Sequence, residues 1–304
     1  MTSPTPSPDS AADVVASAWL EHRQRVLNIG YRMLSSVTDA EDVAQDAFAR
    51  LAEADIDDID DVLGWLVTVT SRMCIDRLRL HENSRRSYVG PWLPEPVVDG
   101  SEDTVGDQIT LDDSVRMALL VVLDRLTPAE RVAFVLHDVF TLPFTEIGEI
   151  VGRSPQACRQ LAARARRRIQ SDSTTTRPPI SREEHREIVQ RFATACRDGD
   201  LKTLVDVLAA DATGDFDSGG MIPGAPLTEL DGGEAIAAQL VDAVSGFGAE
   251  FIVREVNGDP GVLITMGEQV IAAISLGVRD GQIDLVHAIG NPTKLTHLQP
   301  AKPS

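Results

Sequence analysis

The sequence predicts a multidomain protein: two all-α domains, the second built around a helix-turn-helix, followed by an α+β domain. Three observations carry that prediction. From Thr127 to Ile169, three consecutive helix signals are separated by short turns. From Ala11 to His81, apolar residues recur at spacings of three and four, the period of a helix with one buried face. After Phe251, four strand-like runs are separated by Asn-Gly, Gly-Glu and Asp-Gly turns.

A chain of 304 residues with 43% hydrophobic content can fill two or three small cores. The boundaries expected are a tail at 1–10, a first helical domain at 11–86, a linker at 87–112, a second helical domain at 113–171, an α+β domain at 180–296 and a tail at 297–304. No apolar run is long enough to span a bilayer, so no membrane role is expected. The segment MTSPTPSPDSAAD lacks a basic stretch followed by an apolar core and does not resemble a secretory signal. Cys74, Cys158 and Cys196 are far apart, odd in number and set in apolar helical contexts. They read as buried free thiols in a reducing cytoplasm, with no zinc spacing, and neither a metal nor a cofactor is expected.

The first helix is expected from about Ala11 to Leu34, with Leu20, Leu27, Tyr31 and Leu34 in its buried face. Thr38 and Glu41 have the spacing of a capping box for the next helix. That helix has an apolar stripe of Ala40, Val43, Ala44, Ala47, Phe48 and Leu51, and an outer face of Glu41, Asp42, Gln45, Asp46 and Arg50. An acidic connector, Asp55 to Val62, leads to a helix from about Gly64 to His81. Val67 to Thr70 favour a strand locally, but Trp65, Val69 and Leu78 fit a bundle-facing side. Arg72, Arg77, Arg79, Arg85 and Arg86 give this helix a basic side and tail.

The linker at 87–112 is rich in proline, glycine and acids, which favours extended backbone. It contains WLPEP, Trp92 to Pro96. A flexible tether has no need of Trp92 and Leu93 beside Pro94, so the motif reads as a preformed peptide that docks on another domain.

Thr127, Pro128 and Glu130 then open a helix as a capping box. A helix from Phe144 to Val151 buries Phe144, Ile147 and Val151 and ends at Gly152. Ser154 caps a third helix with Pro155 in its first position. On that helix Cys158, Leu161, Ala162, Ala165 and Ile169 share one side, while Gln156, Arg159, Gln160, Ala163 and Arg167 share the other. Arg and Gln suit guanine and adenine edges in the major groove. Arg153, Arg164, Arg166 and Arg168 flank that face, where phosphates would lie. A basic run alone is an ordinary solvated face; here the turn, the caps and the basic face coincide, which points to DNA binding.

The chain as a whole carries a net charge of −19. Residues 127–170 hold seven arginines and four acids, whereas residues 181–304 hold nine basic and nineteen acidic residues. One basic helix in an acidic body binds free DNA weakly and calls for a partner that delivers it.

After SDSTTTRPP, Ser171 to Pro179, an amphipathic helix is expected from Ile180 to Arg197, with Ile188, Val189, Phe192 and Ala195 inward. Leu201 to Leu208 continues helically, and strands are expected at Phe251–Val256, Val262–Met266, Gln269–Leu276 and Gln282–Ala288.

Residues 11–170 resemble the extracytoplasmic-function sigma factors of bacterial RNA polymerase. TDAEDVAQDAFARL is similar to the segment that grips the polymerase clamp helices in that family. WLVTVTSRMCIDRLR is similar to the segments that read and open the −10 element, and the helix-turn-helix to the segment that reads the −35 element. The resemblance implies core RNA polymerase and promoter DNA as partners. It implies polymerase contacts at Glu41, Asp42, Gln45, Asp46 and Arg50, and −10 contacts at Arg72, Asp76, Arg77 and Arg79 beside the Asp55–Asp61 loop. For the −35 element it implies base readout by Gln156, Arg159 and Gln160, phosphate contacts by Arg153, Arg164 and Arg166, and further DNA contacts at Ser154 and Arg167.

The last part resembles SnoaL-like domains, cone-shaped folds with helices packed in a curved sheet. A subset of these sigma factors carries one as a C-terminal extension, and WLPEP matches the linker motif of that subset. Asp217-Ser218-Gly219-Gly220-Met221 stands where the subset has Asp-Gly-Gly-Gly-Lys. Asn291-Pro292-Thr293-Lys294-Leu295 stands where it has Asn-Pro-Asp-Lys-Leu. Ser218, Met221 and Thr293 depart from the pattern. The resemblance implies that the extension regulates the sigma domains. Trp92, Leu93 and Pro94 of the linker would meet Asp217, Gly219, Gly220, Asn291, Pro292, Lys294 and Leu295 at one interface. An alternative is that the extension catalyses a reaction or holds a small-molecule ligand, since SnoaL-like folds include isomerases and cyclases. Asp215, Asp217 and His287 would then enter its pocket, a reading that rests on fold analogy alone.

Overall fold

The structure is a computed structural model describing residues 8–85, 87–99, 109–110, 115–172, 180–244 and 248–298. Residues 1–7 and 299–304, Arg86, the acidic middle of the linker and the stretches 173–179 and 245–247 lie outside the described residues, as do the side chains of 8–11 and 82–85. In chain order the helices are α1 (Pro8–Leu34), α2 (Val37–Glu53), α3 (Val62–Arg85), α4 (Met117–Asp124), α5 (Pro128–Phe134), α6 (Phe144–Val151), α7 (Pro155–Ser171), α8 (Arg182–Asp198), α9 (Leu201–Val207) and α10 (Gly233–Val244). The strands are β1 (Leu208–Asp217), β2 (Leu230–Asp231), β3 (Glu250–Val256), β4 (Asp259–Met266), β5 (Gln269–Arg279) and β6 (Gln282–Ile289). Two compact units result. One comprises Met1–Glu82 and Leu126–Arg166, the other Asn83–Arg125 and Arg167–Ser304.

In the first unit, Leu27, Tyr31 and Leu34 of α1 are buried, and so is the whole expected stripe of α2. Leu20 is not: it is 86% exposed. The buried face of α1 runs instead through Val26, Leu27, Ile29 and Tyr31. The expected Thr38–Glu41 box is also replaced. Ser35 takes a left-handed φ of 55°, Ser36 is extended, and the Ser36 hydroxyl accepts from the Asp39 N–H. The chain must reverse between two helices there, so the serine nearer the reversal becomes the cap. The strand-favouring run in α3 is helical, because burial of Leu66, Val67, Thr70, Met73, Cys74 and Leu78 on one face overrides local propensity. Trp65 and Val69, expected in the bundle, are only half-buried and lie off that face.

The helix-turn-helix follows its sequence signals closely. The Thr127–Glu130 capping box forms in both directions, Gly152 ends α6 at φ 71°, and the Ser154 hydroxyl accepts from the Ala157 N–H. Phe144 and Val151 are half-buried, and Ile147, Gly148 and Ile150 form the sealed face of α6. Between α5 and α6 the chain makes a π-helical turn, Val135–Val139. Arg131, 1% exposed, donates to the Arg32 carbonyl and the Ser35 hydroxyl, so α5 is fastened to the end of α1.

In the second unit the sheet order is β2-β1-β6-β5-β4-β3, antiparallel except for the parallel β1–β6 pair. Asn257-Gly258 and Asp280-Gly281 turn two of its hairpins with positive φ at both positions. β1 and α10 had no counterpart in the sequence expectations. The ten residues of β1 include three aspartates and a glycine, a poor local match to a strand, and pairing with β6 imposes the conformation.

The sheet buries both faces. On one, α8, α9 and α10 pack Phe192, Leu204 and Ile236 against Phe216, Ile274 and Val286. On the other, Leu93 and Val98 of the linker and Met117 and Val121 of α4 pack against Val256, Ala273, Ile289 and Leu295. The strand period of two decides which side chains see which face: Ala212 and Phe216 face the helices, while Asp217, two residues beyond Asp215, meets the linker.

Candidate nucleic-acid interface and linker clamp

The exposed side of α7 is the one expected. Gln156, Arg159, Gln160 and Arg167 are exposed, while Cys158, Leu161, Ala162 and Ala165 are sealed against the rest of the domain. Ile169 is half-buried. Arg159 lies 5.6 Å from the Phe144 ring centroid and donates to Gln156 at 3.5 Å, which aligns the two polar side chains on one face. Arg166 makes a two-pronged pair with Asp138 at 2.6 and 3.1 Å, and Arg164 lies 3.5 Å from Glu130. Two of the three expected phosphate contacts are therefore engaged internally in this arrangement.

On α3, Arg72, Asp76 and Arg79 share one exposed strip. Arg72 donates to the Glu149 carbonyl at 3.2 Å, and Arg79 pairs with Asp76 at 3.3 Å. Arg77 does not join them. It turns to α2, donating to the Asp39 carbonyl at 2.6 Å and lying 3.8 Å from Asp42 and 3.6 Å from Asp46. The structure thus groups Arg77 with the acidic face of α2. Asp42, Gln45, Asp46 and Arg50 are exposed there, and Glu41 is half-buried, 3.7 Å from Arg23. In the acidic connector, Asp55 caps a short 3₁₀ turn and Asp61 accepts from the Gly64 N–H at 3.0 Å.

The second site is built around Asp217, 1% exposed at the end of β1. Its carboxylate accepts from the Tyr88 hydroxyl, from the Leu93 N–H at 2.8 Å, from the Lys294 ammonium at 2.6 Å and from the Gly219 N–H at 3.2 Å. Lys294 also donates to the Leu93 carbonyl, and its Nζ sits 3.4 Å from the Trp92 ring centroid. Tyr88 stands edge-on to Trp92 at 4.7 Å and receives a 2.7 Å hydrogen bond from the Asn291 amide. Burial pulls the Lys294 amine below its ordinary value despite the Asp217 carboxylate beside it. Burial, with the Asp217 hydrogen bond, pushes the Tyr88 phenol up.

The structure therefore brings Trp92, Leu93, Asp217, Gly219, Asn291 and Lys294 into one network. Pro94 and Leu295 are buried beside it, and Pro292 is exposed. Gly220 has φ 73°, and a Cβ there would meet Val89 at 2.8 Å, which is why this loop needs glycine. Tyr88 was not singled out from sequence; a lone tyrosine five residues before Leu93 carries no signal of its buried partner. Further along, Asn257 accepts from the Val97 N–H and donates to the Val115 carbonyl, so one buried side chain ties the linker to the segment entering α4. The extension holds the tether at both ends.

Of the three residues of the catalytic reading, one separates from the other two. Asp217 is committed to the linker. Asp215 and His287 pair across β1 and β6, 3.9 Å apart, in a half-open pocket of about 270 Å³ shared with Arg125, Asp172 and Glu229. Burial and Glu229 push the Asp215 carboxyl up to about 6. Between helices and sheet, Phe192, Phe216 and their neighbours form one buried apolar cluster. The three cysteines are free and buried, and burial pushes Cys74 and Cys196 up to about 12, so neither is a reactive thiol. Among the described residues no helix is long and apolar enough to cross a membrane.

Comparison with known proteins agrees with this geometry. Residues 18–83 match the family Sigma-70 region 2, and residues 116–169 match Sigma-70, region 4. The chain is 35% identical over 294 residues to the probable ECF RNA polymerase sigma factor SigI of Mycobacterium tuberculosis, covering 95% of this chain and 98% of that one. It is 37% identical to the ECF RNA polymerase sigma factor SigJ of the same species, covering 90% and 91%. The crystal structure of SigJ superposes with a TM-score of 0.73 at 34% identity, covering 94% of this chain and all of that one. With both sigma regions matched and the likeness running through the extension, the chain belongs to the extracytoplasmic-function family of RNA polymerase sigma factors.

Proposed function

We propose that the output of this sigma factor is set by the grip of its C-terminal extension on the linker between the two sigma regions. Family membership gives the underlying activity: the chain binds core RNA polymerase and directs initiation at specific promoter DNA. The observation that supports control is the clamp at Asp217 and Lys294. It fastens residues 88–99, while Asn257 fastens Val115 and the sheet holds α4, the first helix of region 4. A tether held at both ends cannot extend freely, so regions 2 and 4 cannot separate as they would on polymerase. A clamp favouring the held state by about 3 kcal/mol leaves under one molecule in a hundred free.

In this reading Gln156, Arg159 and Gln160 read the −35 bases, Arg153, Arg164 and Arg166 hold phosphates, and Ser154 and Arg167 complete the DNA-facing surface. Arg164 and Arg166 must first leave Glu130 and Asp138. Arg72, Asp76 and Arg79 serve the −10 element. Glu41, Asp42, Gln45, Asp46 and Arg50 meet the polymerase, with Arg77 bracing that acidic face. The protein works in the cytoplasm and carries out no covalent chemistry.

In vitro transcription with core enzyme, beside a gel shift without it, tests the reading. Specific transcripts with core, and weak binding without it, are expected from an acidic body with one basic helix. Tight specific binding without polymerase, and no transcript on adding it, would mark a repressor.

A further inference from the structure

In the first unit, α3, the start of α5 and the helix-turn-helix enclose an open cleft of about 750 Å³. Ile75, Pro128, Val151 and Leu161 give the mixed lining its apolar part, Ile75 and Leu161 being 7% and 5% exposed. Three guanidiniums line the cleft, Arg79, Arg153 and Arg164; Arg79 pairs with Asp76 at 3.3 Å and Arg164 lies 3.5 Å from Glu130, so a bound phosphate takes the place of those carboxylates. The volume falls within the range of about 300–1,000 Å³ typical of small-molecule sites, which favour junctions between domains. Planar guanidiniums match phosphate oxygens two at a time, and apolar side chains beside them suit a flat ring.

We propose that this cleft binds a phosphorylated nucleoside, its base against Ile75 and Leu161 and its phosphates on Arg79, Arg153 and Arg164. The ligand would be a free nucleoside polyphosphate. Because α3 and α7 both contribute, the bound ligand favours the arrangement in which they pack together. It also withdraws three arginines from the promoter, a consequence that rests on their assignment as promoter contacts.

The test is equilibrium binding of a fluorescent N-methylanthraniloyl ATP to the full-length protein, with unlabelled ATP and a single-stranded tetranucleotide as competitors. Saturable one-to-one binding is expected, displaced by ATP. Arg79→Ala and Arg153→Ala should each weaken it about tenfold, the loss of a charge-assisted contact. Arg159→Ala, on the same basic helix but outside the cleft, should leave it unchanged. Equal weakening by all three variants means general attraction of polyanions and overturns the proposal, as does an absence of saturable binding. Displacement by the tetranucleotide and not by ATP assigns the site to a strand and overturns the free ligand. Promoter complexes with core enzyme, formed without nucleotide, are scored in parallel. If they form while ATP fails to bind, only the cleft proposal falls; if they do not form, the sigma assignments fall as well.

Discussion

Replacing Asp217 by alanine removes the one carboxylate among four converging donors and strands the Lys294 ammonium, 3% exposed, between Trp92 and Tyr88. Removing one partner of a buried ion pair costs about 3–5 kcal/mol, because the other charge stays desolvated and unpaired. Lys294→Met is milder: Asp217 keeps the Tyr88 hydroxyl and the Leu93 and Gly219 N–H groups, so about 1–3 kcal/mol is expected. The double variant should be more stable than Asp217→Ala alone, giving a coupling of about 2–3 kcal/mol. The measurement is a urea titration read by hydrogen exchange in β5 and β6, which follows the extension separately from α1–α3. The pH dependence has a definite sign. Burial depresses Lys294 in the folded chain, so the unfolded chain binds more protons and stability rises with pH. Without Asp217 that depression deepens, and the defect of Asp217→Ala should shrink between pH 7 and pH 9.5. Strictly additive single variants, or a defect that does not change with pH, would refute a buried ionic clamp.

The remaining predictions concern the helix-turn-helix and the pocket. Arg159→Ala should lower recognition at one −35 position by about 1–3 kcal/mol in a panel of promoter variants. Arg166→Ala should weaken all sequences alike and reduce the salt slope by about 1, and identical profiles for the two would undo the split between base and phosphate readers. Asp215→Asn should raise thermal stability at pH 7.5 and lose that advantage near pH 4. A carboxyl pushed up to about 6 stabilises the folded chain below its unfolded pKa and loses that contribution as pH rises through 6. A melting difference independent of pH would remove burial of the charge as the cause.

Much of the fold was legible because its signals are local. Thr127, Gly152 and Ser154 specify caps through their own side chains or backbone freedom, and the structure forms each of them. The stripe of α2 is sealed as its spacing implied. Where signals compete locally, the choice could not be read: Ser36 and Thr38 both suit a cap, and the chain reversal at Ser35 selects Ser36. Leu20 fits the apolar period of α1 yet points outward, since period alone does not say which turns meet α2. β1 was hidden because its pairing with β6 spans about seventy residues of chain. At the clamp, motif likeness placed Trp92, Asp217 and Lys294 together, but Tyr88 and Asn257 act through contacts 129 and 160 residues distant, which no local pattern encodes.

Trp92 links the clamp to transcription with the least disturbance, since it is half-buried and its ring lies over the Lys294 ammonium. The measurement is single-round run-off transcription from a promoter mapped by transcript 5′ ends. Purified core enzyme is supplied with equal amounts of wild-type chain or Trp92→Ala. A specific transcript is expected from both, with several times more from Trp92→Ala as the linker leaves the extension. Equal yields from the two proteins, with the Trp92→Ala linker shown by hydrogen exchange to be released, would contradict control through the clamp.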